Sequence, residues 1–283
     1  MPWRWPGTSL PTLKPEHMSR EVAEDALRAG DPQAALSALT TAIRGHPGEV
    51  RLRIFLAQLL CVLGHWERAW DQLGVCAELD AATLPMREAY RQAIGCERLR
   101  GAVFEGRKSP LLFGAPSPWL ALLIEALIRS AHGDTGAARS LRESAFEQAP
   151  ATPGRIDDQP FQWLADADTR LGPILEAFVE GRYYWIPYER LTSVVTEAPV
   201  DLRDAVWLPA QLRFVNGGET PALLPVRYPG SEASGDAQLQ LSRATHWQEM
   251  PDGAWCGLGQ RQLTTESGEF ALLDLRRIEF ESI

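Results

Sequence analysis

The chain has 283 residues, a hydrophobic share of 45%, a charged share of 23% and a formal net charge of −9. These proportions are those of an ordinary globular protein, and the length exceeds the usual size of one domain, so two domains are expected. The longest apolar run, 119–127, contains Glu125 and falls far short of the roughly 20 residues needed to span a bilayer, which excludes membrane insertion through it.

The start, MPWRWPGTSLPTL, lacks the apolar stretch and cleavage site of a secretory signal, so residues 1–15 read as a flexible tail of a cytoplasmic protein. PWRWPG is assigned no role. Beyond the tail, Gly30 and Gly64 lie 34 residues apart. Each has an alanine seven back (Ala23, Ala57), an alanine five on (Ala35, Ala69) and a leucine nine on (Leu39, Leu73), and Pro47 closes the first unit. Small residues let two antiparallel helices approach, glycine makes the turn and proline stops the second helix, which is tetratricopeptide grammar. Between the second unit and the next, 84–104 forms a long amphipathic helix without a clear partner, and 106–118 reads as a loop. The offsets recur at Gly133, with Ala126, Ala138 and Pro150. Residues 16–152 are therefore expected to form helical hairpins.

After Pro150 the grammar changes. A loop, ATPGRIDDQPF, precedes a short helical stretch at 171–179. From Tyr183 onward, β-branched and aromatic residues cluster between turn signals: YYWIPY, LTSVVTE, AVWLPAQLRFV, ALLPVRY, LQLSRATHW, AWCGLGQRQLTT and FALLDLRRIEF. Asn216-Gly217-Gly218, Pro251-Asp252-Gly253 and Ser267-Gly268 mark turns. Residues 153–283 are expected to form a smaller antiparallel β-rich domain, a sheet or partly closed barrel, making the whole an α+β protein. All the excess acid lies there: residues 1–150 hold 17 basic and 17 acidic residues, and residues 151–283 hold 11 and 20. Such a balance, with no basic run, argues against nucleic acid as a partner.

Signatures of catalysis are sparse. GLGQRQ at 257–262 lacks the third glycine and the helix of a dinucleotide loop and reads as a bulged strand. Cys61, Cys76, Cys96 and Cys256 are widely spaced and read as buried free thiols, with no metal site or cofactor implied. His17, His46, His65 and His132 fall in the helical repeats, three of them near turns, and read as solvated side chains with no paired spacing for a ligand set, leaving His246 alone in the strand region. The densest acidic group is Asp157, Asp158, Asp166 and Asp168. Asp166 and Asp168 read as caps of the following helix; with His246 they would be the catalytic set if the protein were a hydrolase.

Helical repeats bind without catalytic groups, because stacked hairpins make a concave face for a peptide or a helix. The repeat register points inward Arg20, Glu24 and Leu27, then Arg51, Ile54, Gln58 and Cys61, then Leu120, Leu123 and Leu127. Arg20, Glu24, Arg51, Ile54, Gln58, Leu123 and Leu127 are the candidate partner-binding residues, the polar ones foremost. In GRYYWIPYERL, Tyr183 and Trp185 point to one side of an extended segment and Tyr184 to the other, with Tyr188 beyond Pro187. Rings on both faces suit a strand wedged between its sheet and the helical part, more than a partner surface.

LAQLLCVLGHWERAWDQL, YRQAIGCERLRGAVFEGRKSP, QPFQWLADADTRLGPILEAFVEGRYYWIPYERL, DLRDAVWLPAQLRFVNGGE, RYPGSE, and GLGQRQL followed by LLDLRRIEF together resemble the ImpE family, also called TagJ, of type VI secretion accessory proteins. The resemblance covers nearly the whole chain after the first fifteen residues. It implies an interaction protein and no enzyme, associated with the N-terminal helical segment of the small sheath subunit, TssB, and through the sheath with the ClpV ATPase. A peptide-binding scaffold unrelated to secretion would share the same groove.

Overall fold

The computed structural model describes residues 15–281; the PWRWPG start and the side chain of His17 lie outside the described residues. Helices α1 (Pro15–Arg28) and α2 (Pro32–Gly45) form one hairpin, and α3 (Val50–Val62) and α4 (Trp66–Leu79) the next. The long α5 (Leu84–Phe104) follows, then a two-residue strand β1 (Leu111–Leu112) inside the expected loop, then a third hairpin of α6 (Pro118–Ala131) and α7 (Thr135–Gln148). Gly30, Gly64 and Gly133 turn the hairpins at φ of 82, 70 and 81°, a region where a Cβ is penalised. Their flanking alanines Ala23, Ala35, Ala57, Ala69, Ala126 and Ala138 are all buried, as close helix approach requires.

The second half contributes β2 (Gly154–Ile156), β3 (Gln159–Phe161), β4 (Ala165–Asp166), β5 (Ile174–Val179), β6 (Arg182–Pro187), β7 (Leu191–Thr196), β8 (Trp207–Phe214), β9 (Glu219–Pro225), a one-turn α8 (Ala237–Gln240), β10 (Thr245–Glu249), β11 (Trp255–Gly259), β12 (Gln262–Thr265), β13 (Gly268–Ala271) and β14 (Arg277–Phe280). Nine strands form one sheet in the order β1-β6-β5-β9-β8-β7-β14-β2-β3, antiparallel except for β1 against β6. Its end strands β1 and β3 are not paired to each other, so of the two expected forms it is an open sheet and not a closed barrel. A two-stranded ribbon, β10-β11, and a three-stranded sheet, β13-β12-β4, complete the half.

Several readings need correction. The stretch 171–179 holds strand β5 from residue 174 onward and no helix, and the expected loop at its upstream side holds β2 and β3. LQLSRATHW divides between α8 and β10, and FALLDLRRIEF between β13 and β14, which belong to different sheets. Every residue of β5 is buried. Ile174 and Phe178 join the core shared with the helices, while Leu175, Ala177 and Val179 join a second core on the other face. A strand buried on both faces loses its polar–apolar alternation and cannot be told from a buried helix by periodicity.

The sheet thus separates two cores. The first runs from Ala23 and Leu27 of α1 through α3, α5 and α6 to Tyr183, Trp185 and Trp207 of the sheet. The second is enclosed by the far face and by Leu263, Leu272 and Leu275.

Candidate functional site

Helices α1 and α3 lie side by side, and their outward stripes meet at one cleft of about 740 Å³. From α1 come Arg20, Glu24, Leu27 and Arg28; from α3 come Arg51, Ile54, Phe55 and Gln58, at the 3–4 residue spacing that keeps side chains on one helix face. Arg20 is fixed twice, by an ion pair to Glu24 at 2.6 Å and by its position 6.0 Å over the Phe55 ring. Gln58 donates to the Tyr90 hydroxyl at 3.2 Å, and the Tyr90 ring meets Trp207 edge-on, tying the cleft floor to the sheet.

The opposite wall comes from the other half of the chain: residues 199–202, between β7 and β8, and Arg243 after α8. Arg243 donates to the carbonyl of Leu27 at 2.7 Å and that of Arg28 at 3.4 Å, at the negative end of the α1 dipole. The repeat pattern identified the helix side of this cleft, and the spacing 51, 54, 55, 58 would also have found Phe55. Nothing in local sequence announces the far wall, which is a tertiary contact.

Two candidate residues lie elsewhere. Leu123 and Leu127, with Leu120, are buried in the first core and do not line the cleft. The reason is α5, which stands between the second and third hairpins, so the concave face is not continued and the inward stripe of α6 is used for packing. Cys61 is likewise fully buried, and all four cysteines are free.

The aromatic cluster divides by face. Tyr183 and Trp185 are fully buried in the first core, with Trp185 6.1 Å from Phe104 of α5 and its indole donating to the Tyr183 hydroxyl at 2.5 Å. Tyr184 and Tyr188 pack into the second core, Tyr188 against Phe280.

Of the acidic group, Asp157 and Asp158 lie exposed at the turn between β2 and β3, whereas Asp166 and Asp168 join Glu176 in an internal network. Glu176 of β5 accepts both guanidinium arms of Arg100 from α5, at 2.8 and 2.9 Å, and also bonds Arg261 and the Tyr183 hydroxyl. Burial raises the Glu176 carboxyl, but the Arg100 and Arg261 guanidiniums outweigh it and hold it at about 2. Asp166 is pushed the other way, to about 7, mainly by burial; Arg261 at 3.3 Å opposes this and Asp168 adds to it. Asp166 accepts from the Tyr228 hydroxyl at 2.8 Å and the Asp168 amide at 2.9 Å. Asp168 pairs with Arg170 at 2.5 Å and accepts from the Gly257 amide at 3.0 Å. Neither carboxylate caps a helix, because the segment that follows is a strand. Both are buried, whereas His246 is exposed on β10, and no hydrogen bond joins it to either among the described residues. The three residues of the hydrolase reading are not brought together.

Among the described residues no helix is long and apolar enough to cross a membrane. The ImpE protein family model matches residues 158–279, and a tetratricopeptide repeat model matches residues 26–74, which span most of the two hairpins lining the cleft. The chain is 52% identical over 260 residues to the type VI secretion system accessory component TagJ of Pseudomonas aeruginosa PAO1, covering 92% of this chain and 91% of that one. Its fold is shared with the crystal structure of protein VPA1032 from Vibrio parahaemolyticus, with a TM-score of 0.83 and 24% identity over 92% of this chain and 97% of the other. An identity of one half over nine-tenths of both chains, joined to the ImpE match, places this protein in the ImpE/TagJ family of type VI secretion accessory proteins.

Proposed function

We propose that this protein is a non-enzymatic adaptor of a bacterial type VI secretion system, working in the cytoplasm. Its cleft holds the N-terminal helical segment of the small sheath subunit, TssB, and through the sheath it is linked to turnover by the ClpV ATPase. The observation that carries this reading is the convergence of Arg20, Glu24, Arg51, Ile54 and Gln58 in one open cleft of the helical repeats. A helix laid into such a groove buries its apolar face while its polar flanks meet the rim.

The test is a titration of the full chain into a labelled peptide of the sheath subunit's N-terminal segment, followed by anisotropy. Saturable binding is expected, weakened about tenfold or more by Arg51→Glu, a loss of roughly 1.4 kcal/mol, and weakened also by Gln58→Ala. Undetectable binding by the natural chain, or unchanged affinity in both variants, overturns the proposal. Sheath and ClpV genes beside this one would separate the secretion role from an unrelated scaffold with the same groove.

A further inference from the structure

The wall opposite α1 and α3 is built for more than closing the cleft. Residues 197–201 are all exposed, yet the segment is fixed at its end. The carboxylate of Asp204, itself 2% exposed, accepts the backbone amides of Val200 at 2.9 Å and Asp201 at 3.1 Å. Asp201 reciprocates by accepting the amide of Arg203 at 2.9 Å, the two acids forming a capping box around a short 3₁₀ turn at Leu202–Ala205. Held in this way, Val200 stands at 87% exposure, the most exposed large hydrophobic side chain among the described residues. An isopropyl group at that exposure adds little to the stability of the fold. On a cleft rim, already ordered, it is placed to be buried by a ligand with little further loss of backbone freedom.

The charges of the cleft define the ligand further. Four arginines line it, Arg20, Arg28, Arg51 and Arg243, against two acids, Glu24 and Asp201, so 4 − 2 gives +2 in a chain whose net charge is −9. Arg20 is paired with Glu24, Arg28 with Asp25, and Arg243 with the carbonyls ending α1. Arg51 is exposed and has no carboxylate partner among the described residues. Between these charges lie Leu27, Ile54 and Phe55 on one side and Val200 and Leu202 on the other. Helix faces and a capped loop present no row of free backbone donors and acceptors, so an extended strand would find no edge to pair with.

We infer that the cleft takes an amphipathic helical segment bearing acidic side chains, with Val200 seated in its apolar stripe and Arg51 paired to one of its carboxylates. This rests on the reading of the cleft as a protein-binding groove, and makes the β7–β8 loop a specificity element of that groove.

The probe is the same sheath-subunit peptide, alongside a version whose Asp and Glu are replaced by Asn and Gln. Val200→Ser is expected to weaken binding about tenfold with an unchanged melting temperature, and Val200→Ile to stay within about twofold, as truncation of an anchor predicts. Affinity of the natural chain is expected to fall with added salt, less steeply in Arg51→Glu, and to fall for the neutralised peptide. Binding of Val200→Ser equal to that of the natural chain overturns the anchor. Equal affinity for the acidic and neutralised peptides overturns the charge selection, and either result leaves the groove itself standing. Failure of the natural chain to bind the peptide at all overturns both the groove and the inference built on it.

Discussion

Glu176 sits within β5 with no exposure, between Arg100 from α5 and Arg261 from the link between β11 and β12. Removing one member of such a cluster strands buried charge, so Glu176→Ala should cost about 3–5 kcal/mol in urea unfolding. Its carboxyl is lowered from 4.5 to about 2, so the stability it contributes is present above pH 4.5 and lost as pH falls from there towards 2. Asp166 has the opposite sign. Raised from 3.8 to about 7, its contribution is complete below pH 3.8 and disappears as pH rises through 7. Asp166→Asn has nothing to titrate there, so its unfolding midpoint should fall less between pH 5 and pH 8 than that of the natural chain; parallel falls would refute the assignment. At this scale the sequence grouped Asp166 and Asp168 with Asp157 and Asp158, which lie exposed at the β2–β3 turn, and did not single out Glu176 or show that Arg100 and Arg261, distant in the chain, meet it.

Among elements, the helical hairpins were readable because their signals are local. A turn glycine, an alanine on each facing helix and a closing proline all lie within one repeat, and each has a fixed steric task. Gly64 shows the strictness of that task, for at φ 70° a Cβ would also run into Glu232. Gly64→Ala should therefore destabilise by at least about 1 kcal/mol, measurable as a shift in the denaturation midpoint. Strand β5 is illegible for the converse reason: its Ile-Leu-Glu-Ala-Phe-Val sequence is apolar on both faces, and its one polar residue, Glu176, is an internal ion-pair partner. The β7–β8 loop carries no local sign of its place on the cleft wall, which arises only when the halves pack.

For the whole molecule, the sheet is the floor on which the helices stand. Tyr183, Trp185 and Trp207 project from it into a core continuous with α1, α3, α5 and α6. Trp185→Ala should cost about 3–5 kcal/mol in chemical denaturation while leaving peptide binding by the folded fraction unchanged; lost binding at unchanged stability would instead make the ring part of the partner site. A fragment ending at residue 152 would leave that core open on one side, and should show neither a cooperative melt nor freedom from aggregation.

Arg227, two residues beyond β9, reaches back to the end of α3, donating to the carbonyl of Val62 at 2.6 Å and that of Cys61 at 3.3 Å across 165 and 166 residues of chain. At a synthesis rate of roughly 5–20 residues per second, the ribosome would deliver that guanidinium about 8–33 seconds after the helix it terminates. Throughout that interval the repeats would exist with their sheet-facing side uncovered, so nascent chains would be most in need of chaperone cover before the last quarter of the protein has emerged.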